Sequence, residues 1–324
     1  MTIEQRHTVR PCASPLVVAT IVLMMTGCAA TGGVNRDASA SESVPTVAES
    51  LATGDQAAQR GDFNRALVHY MQAANVEQSA EIWLRIGAAS SRLDNAQRAL
   101  DAYLRVIELE PTQTDALEGA GLESMALGHT TPAREYLNRT LQADSQRWRA
   151  HDALGVLDDE TGDHQSAIAH YEAALEIYPE SPAVLNNLGY SRYLLKDFDQ
   201  AARDLYAATQ LDPDHERAWA NLALVYAQKG WYADAVHALA KVAEEAAAYN
   251  DIGYVAFQRG DLEAAAELLG EALRLSPVYF QTAQNNLEAV RARMSGSIRP
   301  FSTHEAEIDD LISSNSNSIV ADER

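Results

Sequence analysis

Beyond residue 27, the side chains best suited to acid–base or metal chemistry are His69, His129, His151, His164, His170, His215, His237 and His304, together with the adjacent acids Asp158 and Asp159. Their spacing argues against such chemistry. A zinc hydrolase needs two histidines one helical turn apart around a glutamate, and redox or structural metal sites use paired cysteines. Neither H-E-x-x-H nor C-x-x-C occurs. His164 and His170 bracket one helix start without a carboxylate at ligand spacing. Phosphate loops of the G-x-x-x-x-G-K-[ST] and G-x-G-x-x-G types and the G-x-S-x-G elbow are also missing. Asp158 and Asp159 fall on a polar helix end and read as a solvated face rather than an acid–base pair. The expectation is a protein without enzymatic activity, metal, cofactor or small-molecule substrate.

The charge balance narrows the field further. The 324 residues carry 46 acidic and 25 basic side chains, a formal charge of −21, with no Lys/Arg-rich run. Phosphate backbones are held by clustered cations, so a nucleic-acid partner is excluded. An apolar content of 47% with 17 Gly and 10 Pro is that of a folded helical chain.

The first segment has the form of a signal peptide. Arg6 and Arg10 precede an apolar run from Leu16 to Met25, about half the roughly 20 residues needed to span a bilayer. It closes in Met25-Thr26-Gly27-Cys28, which resembles the bacterial lipoprotein box. The resemblance implies removal of residues 1–27, Cys12 included, and acylation of Cys28 by diacylglycerol and palmitate, leaving no thiol for disulfide or metal. Ala29 stands where an inner-membrane retention signal would place Asp. The implied location is the bacterial outer membrane, lipid-anchored and facing the periplasm. Residues 28–46 are expected to be the acylated cysteine and a flexible tether, whose reach is about 23 Å at roughly 5–6 Å times the square root of its length.

From Val47 the chain repeats. Ala66, Ala99, Ala133, Ala167, Ala201, Ala235 and Ala265 recur at intervals of 30 to 34 residues. Twelve residues before each stands Gly54, Gly87, Gly121, Gly155, Gly189, Ala223 or Gly253. Four residues after each stands Tyr70, Tyr103, Leu137, Tyr171, Leu205, Leu239 or Leu269. Pro111, Pro179, Pro213 and Pro277 close four units. This pattern resembles the tetratricopeptide repeat. The implied fold is all-α, a right-handed superhelical solenoid of about seven helix pairs over residues 47–294, including a capping helix from Gln281 to Met294. Close helix crossings demand small residues, so the Gly and the Ala of each unit are expected to face one another with the large residue beside them. Gly61, Gly128, Gly162, Gly230 and Gly260 mark left-handed helix stops, and Asp62, Asp163 and Asp261 follow as caps. The sixth unit is four residues short and needs a tighter exit; unit three, with Thr140 and Ser145 at irregular positions, packs less regularly. Residues 295–324 are expected to be disordered, or ordered only on a partner.

Binding is what such a stack offers, since its first helices line a continuous groove. Asn187 and Asn221 fall on the groove side of their helices, where an amide can hold an extended peptide's backbone or bond a neighbouring helix; the sequence leaves both open. Asn250 belongs to the same candidate set. Tyr190, Tyr193, Tyr254 and Phe257 lie on first helices at spacings of three and offer flat apolar surface beside those amides, although some are expected to be buried between units. The groove lacks the Lys and Arg set that would hold acidic tails.

The stretch Arg217-Ala218-Trp219-Ala220-Asn221-Leu222-Ala223-Leu224, the shortened unit, Asn250-Asp251-Ile252-Gly253-Tyr254, Leu275-Ser276-Pro277 with Tyr279, and Asn285-Asn286-Leu287 resemble the TadD family of tight-adherence (Flp) pilus assembly lipoproteins. That likeness implies secretin or pilus-assembly proteins as partners. The alternative is a repeat lipoprotein serving outer-membrane protein assembly, polysaccharide export or cell-wall hydrolase regulation.

Overall fold

The computed structural model describes residues 45–276 and 280–296; Cys28, the signal peptide, Pro277, Tyr279 and nearly all of the tail lie outside them. The described residues are all-helical. Seven antiparallel pairs follow one another: α1 (Val47–Gln59) with α2 (Phe63–Ala74), α3 (Ala80–Ser91) with α4 (Ala96–Leu109), α5 (Thr114–Ala126) with α6 (Thr130–Ala143), and α7 (Trp148–Glu160) with α8 (His164–Ile177). They continue as α9 (Pro182–Leu194) with α10 (Phe198–Leu211), α11 (Glu216–Gln228) with α12 (Tyr232–Leu239), and α13 (Glu245–Arg259) with α14 (Leu262–Leu275), before α15 (Gln281–Met294).

The caps explain most boundaries. Thr46, assigned from sequence to the tether, opens α1 with a capping box: its Oγ1 accepts from the Glu49 amide at 3.2 Å and its own amide donates to Glu49 Oε2 at 2.8 Å. Asp62 and Asp163 cap α2 and α8 as expected, and Asn95 and Asp197 do the same for α4 and α10. Asp261 does not cap α14. Its carboxylate accepts instead from Tyr232 and Arg259, whose stronger donors draw it away from the helix end. The five turn glycines adopt φ between 73° and 88°, while Asp94 (φ 54°) and Lys196 (φ 63°) hold the same left-handed turn in units two and five at a steric cost.

The seven repeat alanines are all fully buried. The closest approach, however, is between the glycine and the large residue, not between glycine and alanine. A Cβ on Gly54 would lie 2.5 Å from Tyr70 Cε1, and on Gly155 2.6 Å from Tyr171 Cε1; at Gly189 and Gly253 the obstacle is Leu205 or Leu269. The missing Cβ therefore seats a ring or isobutyl group against bare backbone. Unit six departs as expected: α12 has only 8 residues, and α13 begins after a five-residue link.

Candidate functional site on the first helices

Each first helix packs on the first helix of the next unit, from α3 on α5 through to α13 on α15, whereas successive second helices make no comparable contact among the described residues. First helices therefore form the tighter inner wall of the stack, the side on which a solenoid is concave.

On that wall the asparagines form a ladder. Asn187 Nδ2 donates to Asp152 Oδ1 on α7 at 3.2 Å, and Asn221 Nδ2 donates to Asn186 Oδ1 on α9 at 2.9 Å. One step past unit seven, Asn286 Nδ2 donates to Asn250 Oδ1 at 3.1 Å. Side rungs join neighbours on the same helix, Asn186 to Asn187 at 3.3 Å and Asn250 to Asp251 at 2.9 Å. Between units six and seven the ladder stops, because Ala220 occupies the acceptor position and Asp251 the donor position. Both groove asparagines thus bond the preceding first helix through side-chain oxygens. A rung uses one of the two hydrogens of an amide NH2. Asp152, Asn186, Asp251 and Asn286 complete this wall and were not among the groove candidates read from sequence, although the Asn-Asn pairs at 186–187 and 285–286 carried the pattern. Asp251 is open to solvent, yet desolvation by the surrounding wall pushes its carboxyl above the ordinary aspartate range, against the Asn250 amide.

The aromatic candidates divide. Tyr190 and Tyr193 are half-buried and stacked, centroids 6.0 Å apart, and Tyr193 continues to Phe198 at 5.8 Å. Tyr254 is half-buried against the last core cluster. Phe257 is buried within that cluster with Leu269 and Leu287, and offers no groove surface. Its place follows from the capping helix α15, which covers the apolar face of α13 and α14.

Asp158 and Asp159 correct the expectation of a solvated face. Asp158 is buried and accepts from Arg134 Nη1 at 2.6 Å; Asp159 accepts from Tyr171 Oη at 3.0 Å, Ser191 Oγ at 2.5 Å and His164 Nδ1 at 2.8 Å. These positions of a first helix face the flanking units, so the acids act as inter-unit ties. Burial, then the charge of Asp159, pushes the Tyr171 hydroxyl far above the ordinary tyrosine value, and it stays a donor at any physiological pH.

Paired helices stacked through first-helix contacts define a helical-repeat scaffold, a class that presents surfaces to other proteins. Family models described as tetratricopeptide repeat match residues 80–113, 119–182, 186–250 and 237–280, more than half of the chain. The chain belongs to the tetratricopeptide repeat family. Unit one lies outside those matches yet carries the same glycine–tyrosine seat. Among curated relatives, the chain is 27% identical over 177 residues to BBSome complex member BBS4 of Bos taurus, 55% of this chain and 34% of that protein. It is 33% identical over 116 residues to type IV pilus assembly protein PilF of Pseudomonas aeruginosa, 35% of this chain and 46% of that protein. The chain therefore spans less than half the length of either. The C-terminal part of a TPR repeat-containing protein from Cytophaga hutchinsonii superposes with a TM-score of 0.57 at 18% identity, covering 73% of this chain and 99% of that one, a likeness of fold.

Proposed function

We propose that this protein is a non-enzymatic scaffold, lipid-anchored in the bacterial outer membrane through Cys28, that binds protein partners during assembly of a pilus or secretion apparatus of the tight-adherence kind. The observation that carries the reading is the inner wall of units five and six: the Asn187 and Asn221 amides held in register by rungs to the preceding first helix, each with a hydrogen to spare, beside the Tyr190–Tyr193 stack. Amides fixed in this way suit an extended backbone, which needs donors and acceptors at regular spacing. The similarity to a pilus assembly protein supports the system, and secretin or pilus-assembly proteins are the partners it suggests.

The test is Asn187→Ala combined with Asn221→Ala, assayed well below the melting point by reciprocal pull-down with a tagged secretin and tagged pilus-assembly proteins of the same cell. Hydrogen bonds of about 1 kcal/mol each predict recovery reduced roughly tenfold or more. A lower melting temperature with unchanged recovery would reduce the amides to a structural role. The anchor is tested separately: Cys28→Ser is expected to leave an uncleaved or mislocalised protein, because Cys28 is the cysteine that the proposed acylation and cleavage require. A Cys28→Ser protein that still fractionated in mature form with the outer membrane would remove the lipid from the proposal.

A further inference from the structure

Unit four holds two histidines, one on each of its helices, that no binding role uses. His151 on α7 and His170 on α8 face each other, Nδ1 to Nδ1, at 3.4 Å. His151 Nε2 lies 3.3 Å from the Ser145 carbonyl oxygen, in the link between α6 and α7. His170 Nε2 lies 3.7 Å from Asp158 Oδ2, whose other oxygen accepts from Arg134 of α6. Both rings are half-buried.

These contacts set the tautomers. A carbonyl oxygen only accepts, so His151 carries its proton on Nε2 and donates to Ser145. Its Nδ1 is then bare and accepts from His170 Nδ1–H. That leaves His170 Nε2 bare and turned toward Asp158. A first added proton enters there, facing the carboxylate, and keeps the bond between the rings. A second can enter only at His151 Nδ1, where it destroys that bond and sets two cations 3.4 Å apart.

The link before α7 is also tied by Arg147, which reaches Asp144 at 2.9 Å, Asp115 at 2.6 Å and Glu118 at 3.5 Å. Ser145 stands where units two, four and five carry Pro111, Pro179 and Pro213, so the link is braced by the His151 hydrogen bond in place of a proline ring.

We propose that His151 and His170 form a proton-operated joint between the two helices of unit four, closed while they share one hydrogen bond and opened when both rings are charged. The groups facing the pair are Arg134 from α6 and Asp158 from α7, with the Ser145 carbonyl on the link. Burial holds His170 below the ordinary histidine value; the Asp158 charge opposes this, and His151 and Arg134 reinforce it. The unfolded chain therefore takes up this proton first. The stability is fully present above about pH 6.5, the unfolded histidine value, and is lost as pH falls from there through the depressed folded value. An acidified surrounding would loosen the stack at its middle and leave units five to seven intact.

The experiment is hydrogen exchange on the full chain at pH 7.5 and 5.5, corrected for intrinsic rates. Exchange across residues 144–151 and 164–171 is expected to rise by about tenfold at the lower pH, with units five to seven unchanged. His170→Gln keeps a donor but cannot take the charge, and should match wild type at pH 7.5 and lose the rise. In parallel, the His170 imidazole resonances in the wild type should titrate below the ordinary histidine value. Unchanged wild-type exchange, an equal rise in His170→Gln, or a His170 titration at or above about 6.5 would each overturn the joint.

Discussion

Units one, two and four and units five to seven share one backbone plan but join their neighbours on the inner face by different chemistry. In the first group the large residue over the small one is a tyrosine, and its hydroxyl reaches a polar tie: Tyr70 donates to Asp55 at 2.8 Å, Tyr103 lies 3.4 Å from Ser91 Oγ, and Tyr171 donates to Asp159 at 3.0 Å. Those ties then cross to another unit, Asp55 to Arg85 at 2.9 Å, Ser91 to Glu123 at 2.6 Å and Asp159 to Ser191 at 2.5 Å. In the second group the residue is leucine, the seat is apolar, and asparagine rungs make the crossings from unit five to six and from unit seven to α15. Carboxylate ties are strong but sensitive to salt and protons, whereas amide rungs are insensitive to both. The wall with the more constant geometry is the one proposed to meet a partner.

The largest effects should come from the seats. Tyr171→Ala and Leu205→Ala each remove a fully buried side chain and should cost about 3–5 and 2–5 kcal/mol in urea unfolding. Tyr171→Phe separates the two groups: it should lose about 1–2 kcal/mol through the hydroxyl alone, and a silent Phe variant would show that the tyrosine ties contribute only packing. Next in size, Ala201→Leu should overpack the crossing of unit five by about 1–3 kcal/mol, with a smaller loss for Ala207→Leu, which is only half-buried; equal melting temperatures would place the crossing elsewhere.

Salt sharpens the contrast at a lower scale. Arg85→Gln should cost about 0.2–1 kcal/mol at low ionic strength and nothing measurable near 1 M salt, while the loss from Asn186→Ala stays the same at both. A salt-dependent Asn186→Ala would break the distinction. The smallest effect is a gain: Lys196→Gly relieves a left-handed residue at φ 63° and should raise the stability of unit five by about 0.5–1 kcal/mol in urea unfolding.

Local rules made the plan of the repeats legible. The period, the turn glycines, the capping acids Asp62 and Asp163 and the extent of the last helix from Gln281 to Met294 all depend on residues within one unit, and the structure places them as read. The asparagine wall was half legible: Asn187 and Asn221 were on the correct face, but their partners are on the preceding unit, and no spacing rule says which oxygen an amide will choose.

What the sequence determined alone is the set of helices, their pairing and the exclusion of familiar catalytic motifs, because helix propensity, capping and small-residue crossings act over a few tens of residues. Only the tertiary structure decided that Asp158 is buried against Arg134, that Asp261 serves Tyr232 and Arg259 instead of a helix end, and that Phe257 joins the core beneath α15. Only there, too, do His151 and His170 meet. Each of these outcomes depends on which faces of successive helices are brought together by stacking, and charge, burial and protonation follow from those neighbours, not from the chain's local pattern.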